Sequence, residues 1–134
     1  MATNEQRHSL IRRRVMHRPD AVAADSVLLW ERLAVELSSI VGDSAFHTLF
    51  ARSIHLARVD YPWLTDGADH GFKRLRSSLE QRAPAEAGAA SIALFTILTD
   101  TLILLIGESL TITILYASWG QDTADTAAEE PNHE

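Results

Sequence analysis

The amino-acid sequence predicts an all-α fold of about five helices. Apolar residues recur at spacings of three and four through most of the chain, which is the period of one helix face. No segment alternates apolar and polar residues between turn signals, as a half-buried strand would. In addition, residues 27–54 align with residues 92–119 at a constant offset of 65. This internal repeat predicts two helical hairpins related by a pseudo-twofold axis and joined by a loop and a short helix.

The two aligned segments share seven identical residues without a gap. Ten of the other 21 positions pair an apolar residue with an apolar residue, as Trp30 does with Phe95. The identical pairs are Leu29/Leu94, Leu33/Leu98, Leu37/Leu102, Gly42/Gly107, Ser44/Ser109, Thr48/Thr113 and Ser53/Ser118.

The first hairpin is predicted to contain two helices that meet at a sharp corner. The first helix begins after Asp20 or at Ser26 and continues to residue 41. Gly42 ends it, because glycine adopts left-handed backbone angles without a steric penalty. The second helix runs to about residue 59 and stops before Pro62, since the residue before a proline avoids helical angles.

The connection and the second hairpin follow in order. A loop over residues 61–71 leads into an amphipathic helix over about residues 72–82. The next helix is predicted over residues 84–106, because Pro84 is tolerated in a first turn. After a glycine corner, the last helix covers residues 109–119.

The charges at the two ends of the chain divide it into three parts. Residues 1–18 contain five arginines and one glutamate, and we interpret them as a mobile basic leader. Residues 121–134 contain five acidic residues and no arginine or lysine, and we interpret them as a disordered acidic tail. Residues 19–120 are then a single helical domain, which is long enough to bury a real core.

Composition excludes several classes of function. The chain has no cysteine, so disulfides, thiolate catalysis and cysteine metal sites are excluded. A net charge of −6 argues against a nucleic-acid partner. No apolar segment of secretory type opens the sequence, and we expect a cytoplasmic protein. We also find no metal-ligand spacing, no cofactor motif and no catalytic constellation, so we expect a binding protein and no enzyme.

The apolar stretch over residues 89–119 raises the question of a membrane span. Its only charges are Asp100 and Glu108. Asp100 would lie near the bilayer centre, which is costly, and Gly107 would interrupt the span. The repeat partner of this stretch is rich in charge. We therefore expect no membrane span and keep membrane association through residues 89–119 as a third alternative.

A helix as apolar as residues 84–106 must be covered on nearly all sides. Another copy of the chain could cover it, and we predict a homodimer whose interface includes Ile103 and Leu104. The open alternative is a central helix inside a monomer.

The helix corners are predicted to be structural caps. They are Gly42-Asp43-Ser44 and Gly107-Glu108-Ser109. Acidic and hydroxyl side chains at a helix start satisfy free amides and the positive end of the helix dipole. Their acidic residues would repel an anionic ligand, which makes an anion site the lesser interpretation.

Five residues are candidates for binding a partner or ligand. Arg52, His47 and Asp100 could line an apolar pocket between the hairpins and hold a small molecule or a haem. Tyr61 and Trp63 could form a protein-binding hot spot, because tyrosine and tryptophan are enriched in such sites. The sequence thus favours a homodimeric interaction or regulatory module, with a small-molecule sensor as the alternative.

Overall fold

The computed structural model describes residues 2–64 and 72–128, with the side chains of residues 5–64 and 72–120. Within these ranges the protein is helical and has no strand, so the predicted all-α class is confirmed. Its helices are α1 (Ala2–Val15), α2 (Val22–Val41), α3 (Asp43–Ala57), α4 (Lys73–Glu80), α5 (Pro84–Ile106) and α6 (Glu108–Ala128), with a short 3-10 helix at Pro19–Ala21 before α2.

The two glycine corners have the same backbone conformation. Gly42, between α2 and α3, has φ 95° and ψ 154°, and Gly107, between α5 and α6, has φ 92° and ψ 161°. This region of backbone space is essentially restricted to glycine. The predicted hairpins are therefore α2–α3 and α5–α6, and both turn in the same way.

The pseudo-twofold axis passes between the first halves of α2 and α5. The hydroxyls of Ser26 and Ser91 lie 2.7 Å apart, and the rings of Trp30 and Phe95 stack at 4.5 Å between centroids. Both pairs differ by 65 in residue number. A residue that touches its own equivalent must lie at the twofold axis, so these contacts locate the axis.

Hydrogen bonds inside the hairpins repeat with the same offset. The hydroxyl of Thr48 donates to the Ser44 carbonyl at 3.1 Å, and that of Thr113 donates to the Ser109 carbonyl at 3.0 Å. Ser53 and Ser118 likewise donate to the carbonyl four residues earlier, at 2.9 and 2.8 Å. The identical serines and threonines in the repeat therefore make equivalent bonds.

The two hairpins share one core because they pack crosswise. Helix α2 lies against α6, and α3 lies against α5, so each long helix contacts the second helix of the other hairpin. Four leucines of α2 and α5 are fully buried at this crossing, namely Leu33, Leu37, Leu98 and Leu102. Six aromatic rings fill the adjacent space, those of Trp30, Phe46, Phe50, Phe72, Phe95 and Trp119.

The N-terminal segment differs from our expectation of a mobile leader. Residues 2–15 form α1, which packs against α5, α2 and α6. Leu10, Ile11 and Val15 are at most 1% exposed. The physical reason is their spacing, which places three apolar side chains on one helix face while Arg12 and Arg13 remain exposed.

The repeat also extends beyond the predicted hairpins, because α1 and α4 are equivalent. Leu10 and Leu75 are both buried and differ by 65, as do Pro19 and Pro84, the prolines that precede or begin the long helices. Helix α1 packs against α5, and α4 packs against α2. Each half of the molecule thus places its first helix on the long helix of the other half.

Two predicted segments lie partly outside the described residues. The loop over residues 61–71 is described only as far as Leu64. Of the predicted disordered tail over residues 121–134, the backbone continues α6 to Ala128, and residues 129–134 lie outside the description.

Replacing either corner glycine by alanine is expected to destabilise the protein by about 1–3 kcal/mol, because each holds a backbone conformation that alanine avoids. A Cβ atom at Gly42 or Gly107 would meet nothing within 4 Å, so the loss would come from the backbone alone. Denaturant unfolding of Gly42→Ala and Gly107→Ala measures it. Ser44→Ala is the control, and equal stability of all three variants would contradict the corner assignment.

Candidate interaction surface

Exposed leucines cluster where α5 ends and α6 begins. Leu104 is 86% exposed, Leu105 is 62% exposed, and Leu110 is 40% exposed. Together with half-buried Ile103, these residues are called the apolar corner below. Such a group of exposed large apolar side chains is unusual on the surface of a soluble monomer and is typical of an interaction site.

The helix geometry explains why these side chains leave the core. Leu94, Leu98 and Leu102 follow one another at four-residue spacing and are fully buried. Leu104 lies two residues after Leu102, which rotates it by about 200° around a helix of 3.6 residues per turn. It therefore lies on the side of α5 opposite the buried leucines, which agrees with its high exposure.

The equivalent corner of the first hairpin provides an internal comparison. Three of the four positions of the apolar corner are polar or small there: Ser38 matches Ile103, Ser39 matches Leu104, and Ala45 matches Leu110. Ser39 and Ala45 are exposed as well. Since both hairpins have the same fold, the fold itself does not require large apolar residues at these positions.

Two other exposed positions do not follow this contrast. Ile40, which matches Leu105, is 49% exposed, so an apolar residue at this position is common to both corners. Val35 is 70% exposed and matches Asp100, where the second hairpin is the more polar one. The two corners therefore differ in apolar character at three pairs of equivalent positions, which are 38/103, 39/104 and 45/110.

Helix α5 is also the one helix of the described chain that is long and apolar enough to cross a membrane. In its most apolar window, 39% of the residues are buried inside the protein. The inner face of α5 is thus packed in the core, whereas the last turn of α5 contains the exposed leucines.

Asp100 has a partner that the sequence did not reveal. Its side chain is 58% exposed, and it forms a salt bridge of 2.7 Å with Arg7 of α1. The Arg7 side chain is only 4% exposed and also donates to the hydroxyl of Thr99 at 2.5 Å. Asp100 and Thr99 therefore have a structural role, because their contacts with Arg7 join α1 to α5.

The other residues of the predicted ligand pocket have separate neighbours. Arg52 donates to the hydroxyl of Thr101 at 3.1 Å on the surface. His47 lies 3.6 Å from the carboxylate of Asp43, one turn earlier in α3. Between the hairpins, the ring of Trp30 packs against those of Phe50 and Phe95.

Tyr61 and Trp63 lie together and are both half-buried. Their rings meet edge to face at 6.0 Å, and both pack against the core. The guanidinium of Arg82 lies 4.8 Å above the Trp63 ring. In this position Trp63 covers part of the core and remains half-buried.

At the corners, the glycines themselves occupy the position before the helix. The Gly42 carbonyl accepts from the Phe46 amide at 3.0 Å, and the Gly107 carbonyl accepts from the Thr111 amide at 3.2 Å. Asp43 and Glu108 are then the first helical residues, followed by Ser44 and Ser109. The two acids lie in the first turns of their helices, where the helix dipole favours negative charge.

Comparison of the chain with protein-family models, with curated proteins and with solved structures finds no match. Within the described residues, no three histidine or acidic side chains lie close enough to hold a metal ion. The assignment of a function therefore depends on the chemistry of the surface.

The two buried tryptophans are expected to respond differently to replacement by phenylalanine. Both are fully buried, but Trp119 donates its indole N–H to the Leu29 carbonyl at 3.1 Å, whereas that of Trp30 has no acceptor among the described residues. Trp119→Phe should therefore destabilise the protein by about 1–3 kcal/mol more than Trp30→Phe. Urea unfolding followed by circular dichroism measures both, and a larger loss for Trp30→Phe would contradict this account.

Proposed function

We propose that the protein is a homodimeric helical interaction module that associates through the apolar corner. The observation that carries this proposal is the contrast between two hairpins of the same fold. One exposes Leu104 and Leu110 beside the half-buried Ile103, and the other has serine or alanine at the same positions. Exposed apolar residues that the fold does not need are best explained by contact with a partner.

A second copy of the chain suits this surface as the partner. Twofold pairing of identical patches is the commonest arrangement among soluble oligomers. The apolar corner is contributed by the end of one helix and the start of the next, so two copies could place these leucines against each other. The acidic residues closest in sequence are Glu108, which is exposed, and Asp100, which is already paired with Arg7.

Charged substitutions at equivalent positions of the two hairpins test the proposal. Leu104→Glu and Ile103→Glu are expected to convert the dimer to a monomer, because an unpaired carboxylate would be buried in the interface. Ser39→Glu and Ser38→Glu place the same charge on the first hairpin and are expected to leave the dimer intact. Light scattering coupled to size-exclusion chromatography gives the molar mass of each variant.

Two results would refute this assignment. The dimer could survive Leu104→Glu and Ile103→Glu at micromolar concentration, or the Ser39→Glu control could dissociate it equally. In the first case the interface lies elsewhere, and in the second the effect is one of overall charge.

The two alternatives have less support. A small-molecule sensor needs a pocket lined by Arg52, His47 and Asp100, and these side chains instead have separate partners in Thr101, Asp43 and Arg7. Membrane association is compatible with the apolar composition of α5. It would become the better explanation if the unmodified protein bound neutral lipid vesicles and Leu104→Glu released it.

A further inference from the structure

The apolar corner continues along α6 as a surface without charge. Residues 109–120 contain no acidic, basic or histidine side chain. The exposed side chains among them are Ser109, Leu110, Thr113, Tyr116 and Ala117. Their spacings of three and four place them on one side of the helix. This surface is called the α6 face below, and Leu110 belongs both to it and to the apolar corner.

The equivalent surface of α3 is charged. Arg52 matches Ala117, and His55 matches Gly120. Both Arg52 and His55 are exposed, as is usual on the solvent side of an amphipathic helix. Because the two hairpins have the same fold, the fold does not require the solvent side of α6 to be uncharged.

The hydroxyl groups of the α6 face already have hydrogen-bond partners inside the protein. Thr113 donates to the Ser109 carbonyl at 3.0 Å, and the Gln6 amide donates to the Tyr116 hydroxyl at 2.8 Å. A polar group with such a partner is covered at lower cost than one that only water satisfies. Another protein surface can therefore cover these hydroxyl groups without leaving them unpaired.

The apolar corner is too small to form a stable interface alone. Stable interfaces bury about 800 Å² and roughly 20–30 residues on each partner, whereas the corner has four residues. Extension along the outer side of α5 would cover the Asp100 side chain, which is 58% exposed, and the exposed contact between Arg52 and Thr101. Extension along the α6 face covers no charge and so avoids the cost of removing an ion from water.

We propose that the α6 face contacts the second copy of the chain and extends the dimer interface from Leu110 to Ala117. This inference rests on the homodimer proposed above. Twofold pairing brings identical patches together, and two uncharged patches pack without an unpaired ion. A lipid surface suits the face less well, because its exposed side chains include three hydroxyl groups and only one large aliphatic group.

The chain has no cysteine, so a single introduced cysteine reports on the α6 face alone. In the experiment, a trace of Thr113→Cys is mixed with a rising excess of the unmodified chain, and the rate of alkylation by iodoacetamide is measured. The rate is expected to fall by about tenfold as the dimer forms, because the reagent loses access to the thiol. Thr48→Cys is the matched control, since Thr48 is the exposed equivalent on α3 and makes the same hydrogen bond. Its rate should stay constant.

A second variant tests the same face through the dimer affinity. Ala117→Arg introduces the residue that the first hairpin has at the equivalent position, and urea unfolding checks that the variant is folded. It should raise the dimer dissociation constant by at least about tenfold, because the interface would contain an unpaired guanidinium. The reciprocal change, Arg52→Ala, should leave the dissociation constant unchanged.

The possible failures are distinguishable. If the Thr113→Cys rate stays constant although Leu104→Glu dissociates the dimer, the α6 face is wrong and the apolar corner stands. If both cysteine variants slow equally, the protection is not specific to α6, and the inference is also wrong. A single-chain mass at every concentration would overturn both proposals. Protection by neutral phosphatidylcholine vesicles but not by excess chain would overturn the inference and assign the face to a membrane.

Discussion

Removal of residues 1–18 is expected to lower the free energy of unfolding by roughly 5–8 kcal/mol. Leu10, Ile11 and Val15 are almost completely buried, and burial of each such side chain is worth about 1.5–3 kcal/mol. The truncation would also expose the face of α5 that α1 covers and leave Asp100 without Arg7. The total free energy of unfolding of a domain of this size is only about 5–15 kcal/mol, so much of the truncated chain should be unfolded or only loosely packed.

Urea unfolding and near-ultraviolet circular dichroism of the truncated chain measure this effect. The double variant Arg12→Ala/Arg13→Ala is the control, because it removes charge from α1 but leaves its buried face. A truncated chain as stable as the full chain would mean that residues 1–18 are a mobile leader after all, as their composition alone predicts.

Leu33→Ala and Leu98→Ala are expected to destabilise the protein by similar amounts, about 2–5 kcal/mol each. Both leucines are fully buried, and they occupy equivalent positions in α2 and α5. Each variant would leave a cavity in the crossing of the hairpins, where neighbouring side chains can relax only in part. The similarity is the specific expectation, because the pseudo-twofold axis relates the two environments.

Thermal or chemical unfolding of both variants tests this equivalence. Val35→Ala is the control. Because Val35 is 70% exposed, this variant should lower the free energy of unfolding by less than about 0.5 kcal/mol. If one of the two leucine variants were near neutral while the other was severely destabilised, the halves would not share a symmetric core.

The sequence predicts the hairpins well because their signals are local. Gly42 and Gly107 mark the corners, and the leucine spacing marks the buried faces of α2 and α5. Helix α1 was not predicted, because four of its fourteen residues are arginines and its apolar face is narrow. The offset of 65 between Leu10 and Leu75 carries the signal that could have revealed it.

The surroundings of the candidate site residues depend more strongly on tertiary contacts than the helix boundaries do. The exposure of Leu104 is consistent with its predicted place in an interface, which remains a prediction. The salt bridge between buried Arg7 and exposed Asp100 could not be predicted, because the two residues are brought together by the docking of α1. His47 and Arg52 share a helix, but they lie five positions apart and so face different neighbours.

The apolar corner as a self-association site is tested most directly by the molar mass of the unmodified chain. Light scattering on a size-exclusion column, without detergent and over a range of micromolar concentrations, gives this value. The account predicts twice the chain mass of 14.8 kDa, with dissociation only on dilution. A mass of one chain at every concentration would contradict it and would leave the exposed leucines of the second hairpin to a partner other than a second copy.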